Sequence, residues 1–68
     1  MKLHSNLKQI RLAAGGMTQQ ELADRVGVTR QTILYIEKGK YSPTIGLALR
    51  LALVLDVRVE DLFELEKG

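Results

Sequence analysis

The sequence predicts an all-α domain of five short helices, and three observations carry that prediction. Apolar residues recur three and four apart along most of the chain: Leu3, Leu7, Ile10 and Ala14, then Leu22, Ala23 and Val26, then Ile33 and Ile36, then Leu47, Leu51 and Leu55. That is the period of a helix burying one stripe. Residues that start and stop helices bracket each of these stretches. Strict alternation, the mark of a strand, occurs only briefly around Leu55–Val59.

The first helix is expected from about Ser5 to Ala14, stopped by Gly15-Gly16, since glycine adopts the left-handed conformation that ends helices. The second spans about residues 19–26. Thr18 is its N-cap and Glu21, three residues on, completes a capping box, with Met17 and Leu22 placed as a hydrophobic staple. Gly27 ends that helix. After a turn over residues 27–29, Thr29 caps the third helix, expected from Arg30 to about Lys38, and Val28 and Ile33 repeat the staple spacing. Gly39 stops it. A polar loop, Lys40-Tyr41-Ser42-Pro43, leads to Thr44 as cap of a fourth helix, Ile45 to about Leu55. A short fifth helix is expected around Glu60–Leu65.

At 68 residues the chain has room for one domain, residues 1–68. Its 46% hydrophobic content, single proline and six glycines favour a folded domain over a disordered one. Without cysteine there is no disulfide framework or zinc-finger cage. No apolar run approaches the ~20 residues of a membrane helix, and the N-terminus, with Lys2, lacks the apolar stretch of a signal peptide. A cytoplasmic location fits. Net charge is only +2, yet residues 1–55 carry +5 and residues 56–68 carry −3. One side of the molecule can therefore face a polyanion while the acidic end faces away.

Two short helices joined by a three-residue, glycine-containing turn have the shape of a helix-turn-helix. Ala23 supplies a small residue where the helices cross, and Gly27 tolerates the positive φ of the sharp turn. Val28, Ile33 and Ile36 anchor the third helix from beneath. Its outward face is left with Arg30, Gln31, Leu34, Tyr35 and Lys38. These types suit the DNA major groove: arginine pairs with guanine, glutamine with adenine, and an apolar group touches the thymine methyl. Gln19 opens the second helix, where its amide and free backbone N–H groups suit a phosphate. Thr29, Lys38, Lys40 and Tyr41 flank the third helix and suit neighbouring phosphates. The competing reading of each is a solvated helix face, or for Leu34 a core position.

These residues together resemble the Cro/phage-repressor-type helix-turn-helix regulators, over nearly the whole chain. Met17-Thr18-Gln19-Gln20-Glu21-Leu22-Ala23 is similar to that family's second helix. Gly27-Val28-Thr29-Arg30-Gln31-Thr32-Ile33 is similar to its turn and the start of its recognition helix. Ile36-Glu37-Lys38-Gly39-Lys40-Tyr41-Ser42-Pro43 matches its I-E-x-G-x-x-x-P signature, and Val59-Glu60-Asp61-Leu62-Phe63 its closing helix. The resemblance implies a five-helix, lambda-repressor-like fold that binds double-stranded operator DNA as a homodimer and acts as a small transcriptional regulator, a repressor. It implies that Arg30, Gln31, Leu34 and Tyr35 face base edges, that Gln19, Lys38 and Lys40 hold the backbone, and that Glu37 pairs with an arginine of the first helix, with Arg11 the candidate. Two departures stand out. The Gly15-Gly16 turn is one residue longer than usual, which leaves the register of the Arg11–Glu37 pair open. Arg58 stands where a serine or threonine cap commonly precedes the last helix.

Homodimerisation would double the contacts and set half-sites about 34 Å apart. Val57, Val59, Leu62, Phe63 and Leu65 exceed what a short last helix can bury, so Val57, Val59, Phe63 and Leu65 are the expected interface and Leu62 is expected in the core. An enzyme is disfavoured: there is one histidine, His4, read as a surface residue near a disordered end, and no phosphate loop or metal-ligand spacing. The acidic Glu60, Asp61 and Glu64 read as a solvated face, so no metal, cofactor or small-molecule ligand is expected. The alternative is an antitoxin-type or other protein-interaction module on the same fold. No effector domain is expected after the last helix.

Overall fold

Three threonines set where the central helices begin. In the computed structural model, which describes residues 2–66, α2 (Gln19–Val26) starts where the Thr18 hydroxyl accepts from the Glu21 N–H at 3.0 Å. The Glu21 carboxylate accepts from the Thr18 N–H at 3.3 Å in return. Thr29 accepts from the Thr32 N–H at 3.3 Å to open α3 (Arg30–Glu37). Thr44 accepts from the Leu47 N–H at 3.2 Å to open α4 (Ile45–Leu55). Such caps contribute about 1 kcal/mol each by satisfying N–H groups that the first turn leaves free.

Gly27 ends α2 at φ 77°, and the N–H groups of Gly27 and Val28 both return to the Ala23 carbonyl, at 2.9 and 3.0 Å. This double closure, which needs a left-handed residue, turns the chain into Thr29 within two residues. Asp56 ends α4 the same way at φ 56°, a conformation that aspartate tolerates better than most side chains. Leu22, Ile33, Ile36 and Leu51, from three helices, meet Leu7 and Leu62 in the fully buried centre. The contribution of Leu62 to the core is as the sequence indicates.

The all-α expectation is corrected at the chain ends. Five helices are present, including α1 (Leu7–Ala13) and α5 (Val59–Leu62), but β1 (Lys2–Ser5) and β2 (Phe63–Glu66) form an antiparallel two-stranded ribbon. Leu3 therefore lies in a strand and not in the first helix, α1 begins at Leu7, and the last helix stops at Leu62 instead of Leu65. His4 lies in ordered β1, not in a disordered end. The cause is pairing across the whole chain. Leu3 faces Leu65 and Ser5 faces Phe63, while Lys2 faces Glu66 and His4 faces Glu64. Leu3 and Leu65 match apolar with apolar, and Lys2 and Glu66 match cation with acid, the pairs that stabilise a ladder. Asn6 locks the junction: its N–H donates to the Leu62 carbonyl at 2.8 Å and its amide donates to the Asp61 carbonyl and the Glu64 carboxylate. At α5, where the threonine cap is missing, no side chain accepts from the first-turn N–H groups, and the Asp61 carboxylate accepts from the Arg58 N–H at 3.0 Å.

Among the described residues, no helix is long and apolar enough to cross a membrane, and no group of three or more histidine or acidic side chains is placed to hold a metal.

Candidate nucleic-acid interface

Helical periodicity places Ile33 and Ile36 on the inner side of α3, where both are buried. At 100° per residue the remaining side chains Arg30, Leu34, Lys38, Gln31 and Tyr35 follow one another around an outward arc of about 140°. Arg30, Gln31, Tyr35 and Lys38 are exposed and Leu34 is half-buried. The structure thus brings together on one face the five side chains that the sequence singles out. Gln31 and Tyr35, one turn apart, are joined by a hydrogen bond from the Gln31 amide to the Tyr35 hydroxyl at 2.8 Å. That bond presents a planar amide and a phenol as one unit, and either atom can exchange its partner for a base edge at small cost, being exposed.

Lys40 and Tyr41 follow the helix and are exposed, and the Lys40 N–H donates to the Tyr35 carbonyl at 2.9 Å, which folds the loop back against the helix end. Among the described residues, Arg30, Lys38 and Lys40 have no carboxylate within 4 Å, whereas Arg11 and Arg58 do. Thr29 is exposed but its hydroxyl already serves the cap and a 3.0 Å bond to the Thr32 hydroxyl.

Beneath this face sits a buried charged network. The Arg11 guanidinium donates to Glu37 Oε2 at 2.6 Å through Nε, to Glu37 Oε1 at 3.2 Å through Nη2, and to the Met17 carbonyl at 2.6 Å through Nη1. The pair forms across a turn in which Gly15 and Gly16 both take positive φ, 77° and 73°. Both side chains are less than a tenth exposed, so the fork geometry is what compensates for their desolvation. Gln19 joins them, its amide nitrogen donating to Glu37 Oε1 at 3.0 Å. An amide nitrogen carries two hydrogens, so one remains free to donate, and the Glu37 charge beside it is paired with Arg11.

The sequence reading does not anticipate the role of Arg50. Its Nε donates to the Val26 carbonyl at 3.1 Å, tying α4 to the end of α2 just before the turn. A lone cation in an otherwise uncharged helix is the signal that could have marked it. Of the four residues expected at a subunit interface, Val57, Val59 and Phe63 are half-buried against the chain's own core, and Leu65 lies exposed on β2. The large exposed aliphatics cluster elsewhere, at Ile45, Leu49 and Leu53 on α4.

The sequence profile of the helix-turn-helix family matches residues 7–62. The chain belongs to the Cro/C1-type helix-turn-helix family of DNA-binding transcription regulators. Its helix-turn-helix is α2, the turn and α3. An uncharacterised HTH-type transcriptional regulator of Archaeoglobus fulgidus is 49% identical over 61 residues, covering 90% of this chain and 86% of its own. One from Methanothermobacter thermautotrophicus is 57% identical over 53 residues, covering 76% and 77%. YgzD, an uncharacterised HTH-type transcriptional regulator of Bacillus subtilis, is 42% identical over 65 residues, covering 96% and 97%. Among solved structures, the restriction-modification controller protein C.AhdI from Aeromonas hydrophila superposes with a TM-score of 0.73 at 29% identity, over 81% of this chain and 82% of that one.

Proposed function

We propose that this helix-turn-helix regulator binds a specific operator in double-stranded DNA and represses transcription as a homodimer in the cytoplasm, as one domain with no catalytic role and no cofactor. The observation that carries the reading is the outward arc of α3. Arg30, Gln31, Leu34 and Tyr35 offer a guanidinium, an amide, an apolar surface and a phenol to base edges. Gln19, Thr29, Lys38, Lys40 and Tyr41 surround them as phosphate contacts, which position without specifying. Glu37 does not repel the backbone because Arg11 neutralises it. Each half-site is small, and a two-fold partner supplies the second reading helix one turn of DNA away.

Selection from a randomised duplex pool, followed by salt titration, tests this. Wild type is expected to enrich a near-palindrome and bind it at least ~10³-fold better than random DNA. The Arg30→Ala/Gln31→Ala double variant is expected to lose that preference while keeping salt-dependent background binding. If no site is enriched and binding stays weak at low salt, α3 reads no sequence and the proposal is wrong.

A further inference from the structure

We propose that Tyr35 is a positioning residue for Gln31: its hydroxyl holds the glutamine amide so that the two side chains together specify adenine, and hence an A·T base pair, opposite the start of α3. The inference rests on the DNA-binding reading above and narrows it to one side chain and one base.

The helix itself makes the pair. Residues four apart are neighbours on a helix surface, and long side chains lean toward the N-terminus, so the Tyr35 ring lies back over the turn that carries Gln31. There the Gln31 amide nitrogen donates to the Tyr35 hydroxyl at 2.8 Å. Both residues are exposed, and among the described residues neither side chain has a second hydrogen-bond partner. Gln31 thus meets DNA with its head group already held, unlike Arg30, which no carboxylate within 4 Å restrains. A glutamine loses much rotamer freedom when it is fixed, and a group ordered in advance binds with less of that loss.

What the bond leaves free decides the base. A glutamine amide has two N–H donors and one acceptor oxygen. In the major groove adenine presents an acceptor, N7, beside a donor, N6–H, whereas guanine presents two acceptors, N7 and O6. With one Nε2 hydrogen on the Tyr35 hydroxyl, one N–H and Oε1 remain. One donor beside one acceptor is the complement of adenine. Guanine calls for two donors, and the second is released only by breaking the bond to Tyr35. Cytosine offers its N4 donor alone and thymine its O4 acceptor alone, so each leaves half of the held amide unpaired. The Tyr35 hydroxyl accepts in this bond and keeps its own hydrogen, so holding the amide does not use up its donor.

Competition binding against single-base-pair variants of the selected operator tests the assignment, with circular dichroism to verify folding. Wild type is expected to prefer adenine at one position of each half-site. Gln31→Ala is expected to reduce that preference at least ~10-fold, the discrimination of a bidentate pair. Tyr35→Phe keeps the ring and loses the hydroxyl. It is expected to reduce the preference roughly 3- to 10-fold at the same position, the contribution of one net hydrogen bond, chiefly by admitting guanine. In a Gln31→Ala background, Tyr35→Phe is expected to change nothing at that position, since a positioning residue acts only through the group it positions. A merely structural role would weaken binding to all operator variants alike. The bond is also read without DNA. In nitrogen–proton correlation spectra, Tyr35→Phe is expected to move the side-chain amide signals of Gln31 and leave those of Gln9, Gln19 and Gln20 in place. The proposal is overturned by a Tyr35→Phe protein with the wild-type base profile, by equal losses at every position, by an effect that persists in the Gln31→Ala background, or by Gln31 signals that do not move. Each of those results leaves operator binding standing. Enrichment of no site at all retires the DNA reading and the adenine assignment together, even where the Gln31 signals move.

Discussion

Helices α3 and α4 are built alike on the inside and differ on the outside. Each starts from a threonine cap and turns one apolar stripe into the same core. On the outer side α3 carries Arg30, Gln31, Tyr35 and Lys38, while α4 carries Ile45, Leu49 and Leu53. Packing needs one face only, so the second face of each helix is free to be chosen by what it meets. A helix polar on one side and buried on the other is satisfied in water. A helix apolar on both sides is not, and α4 is therefore the one with an unsolved burial problem.

Three measurements can break or sharpen this contrast. The largest effect is expected beneath α3. Arg11→Ala leaves Glu37 buried without its counter-ion, and losses of this kind run to about 3–5 kcal/mol. At 0.05–0.15 kcal/mol per residue the whole domain holds roughly 3–10 kcal/mol, so Arg11→Ala should be largely unfolded or lose tens of degrees in thermal melts. Arg11→Met combined with Glu37→Leu should recover much of that loss; if the double variant is worse than the single one, the network stabilises by more than charge pairing.

The second compares the two sides of α4 directly. Leu51, fully buried, should lose about 2–5 kcal/mol when truncated to alanine. Leu53, 81% exposed, should lose no more than ~0.5 kcal/mol in urea melts at low protein concentration. A large loss for Leu53→Ala under those conditions would mean the stripe is covered within one chain. The third compares the two left-handed helix ends. A methyl at Gly27 meets open space, so Gly27→Ala costs only the backbone penalty, about 1–2 kcal/mol. Asp56→Gly, at the matching end of α4, should be neutral or stabilising by up to ~1 kcal/mol in the same melts.

The helix-turn-helix is legible because its signals are local. Thr18 with Glu21, Gly27 and Thr29 each act within four residues, and they place the ends of α2 and the start of α3 correctly. The outward residues of α3 follow from the same periodicity. The ribbon is not legible, because Leu3 and Leu65 or Lys2 and Glu66 acquire meaning only as partners from opposite ends of the chain. Read locally, Leu3 fits a helical stripe and Phe63–Leu65 a surplus of apolar surface. Part of that surplus packs on the core at Phe63, while Leu65 pairs with Leu3 in the ribbon and stays exposed. The exposed stripe of α4 was readable by subtraction: with Leu47, Leu51 and Leu55 assigned inward, Ile45, Leu49 and Leu53 have no neighbour left. The Arg11–Glu37 pair depends on how two glycines bend, which spacing alone does not decide.

The ribbon also gives the molecule a mechanical character. Lys2 pairs with Glu66 at its outer end and Ser5 with Phe63 at its root. A force drawing Lys2 away from Glu66 loads the ladder one pair at a time, as a zip opens from its tab. The Asn6 bonds to Leu62 and Glu64 follow only after the strands have parted. Drawn apart by its own two ends, the molecule therefore yields pair by pair in the ribbon before the helices around Leu51 are loaded.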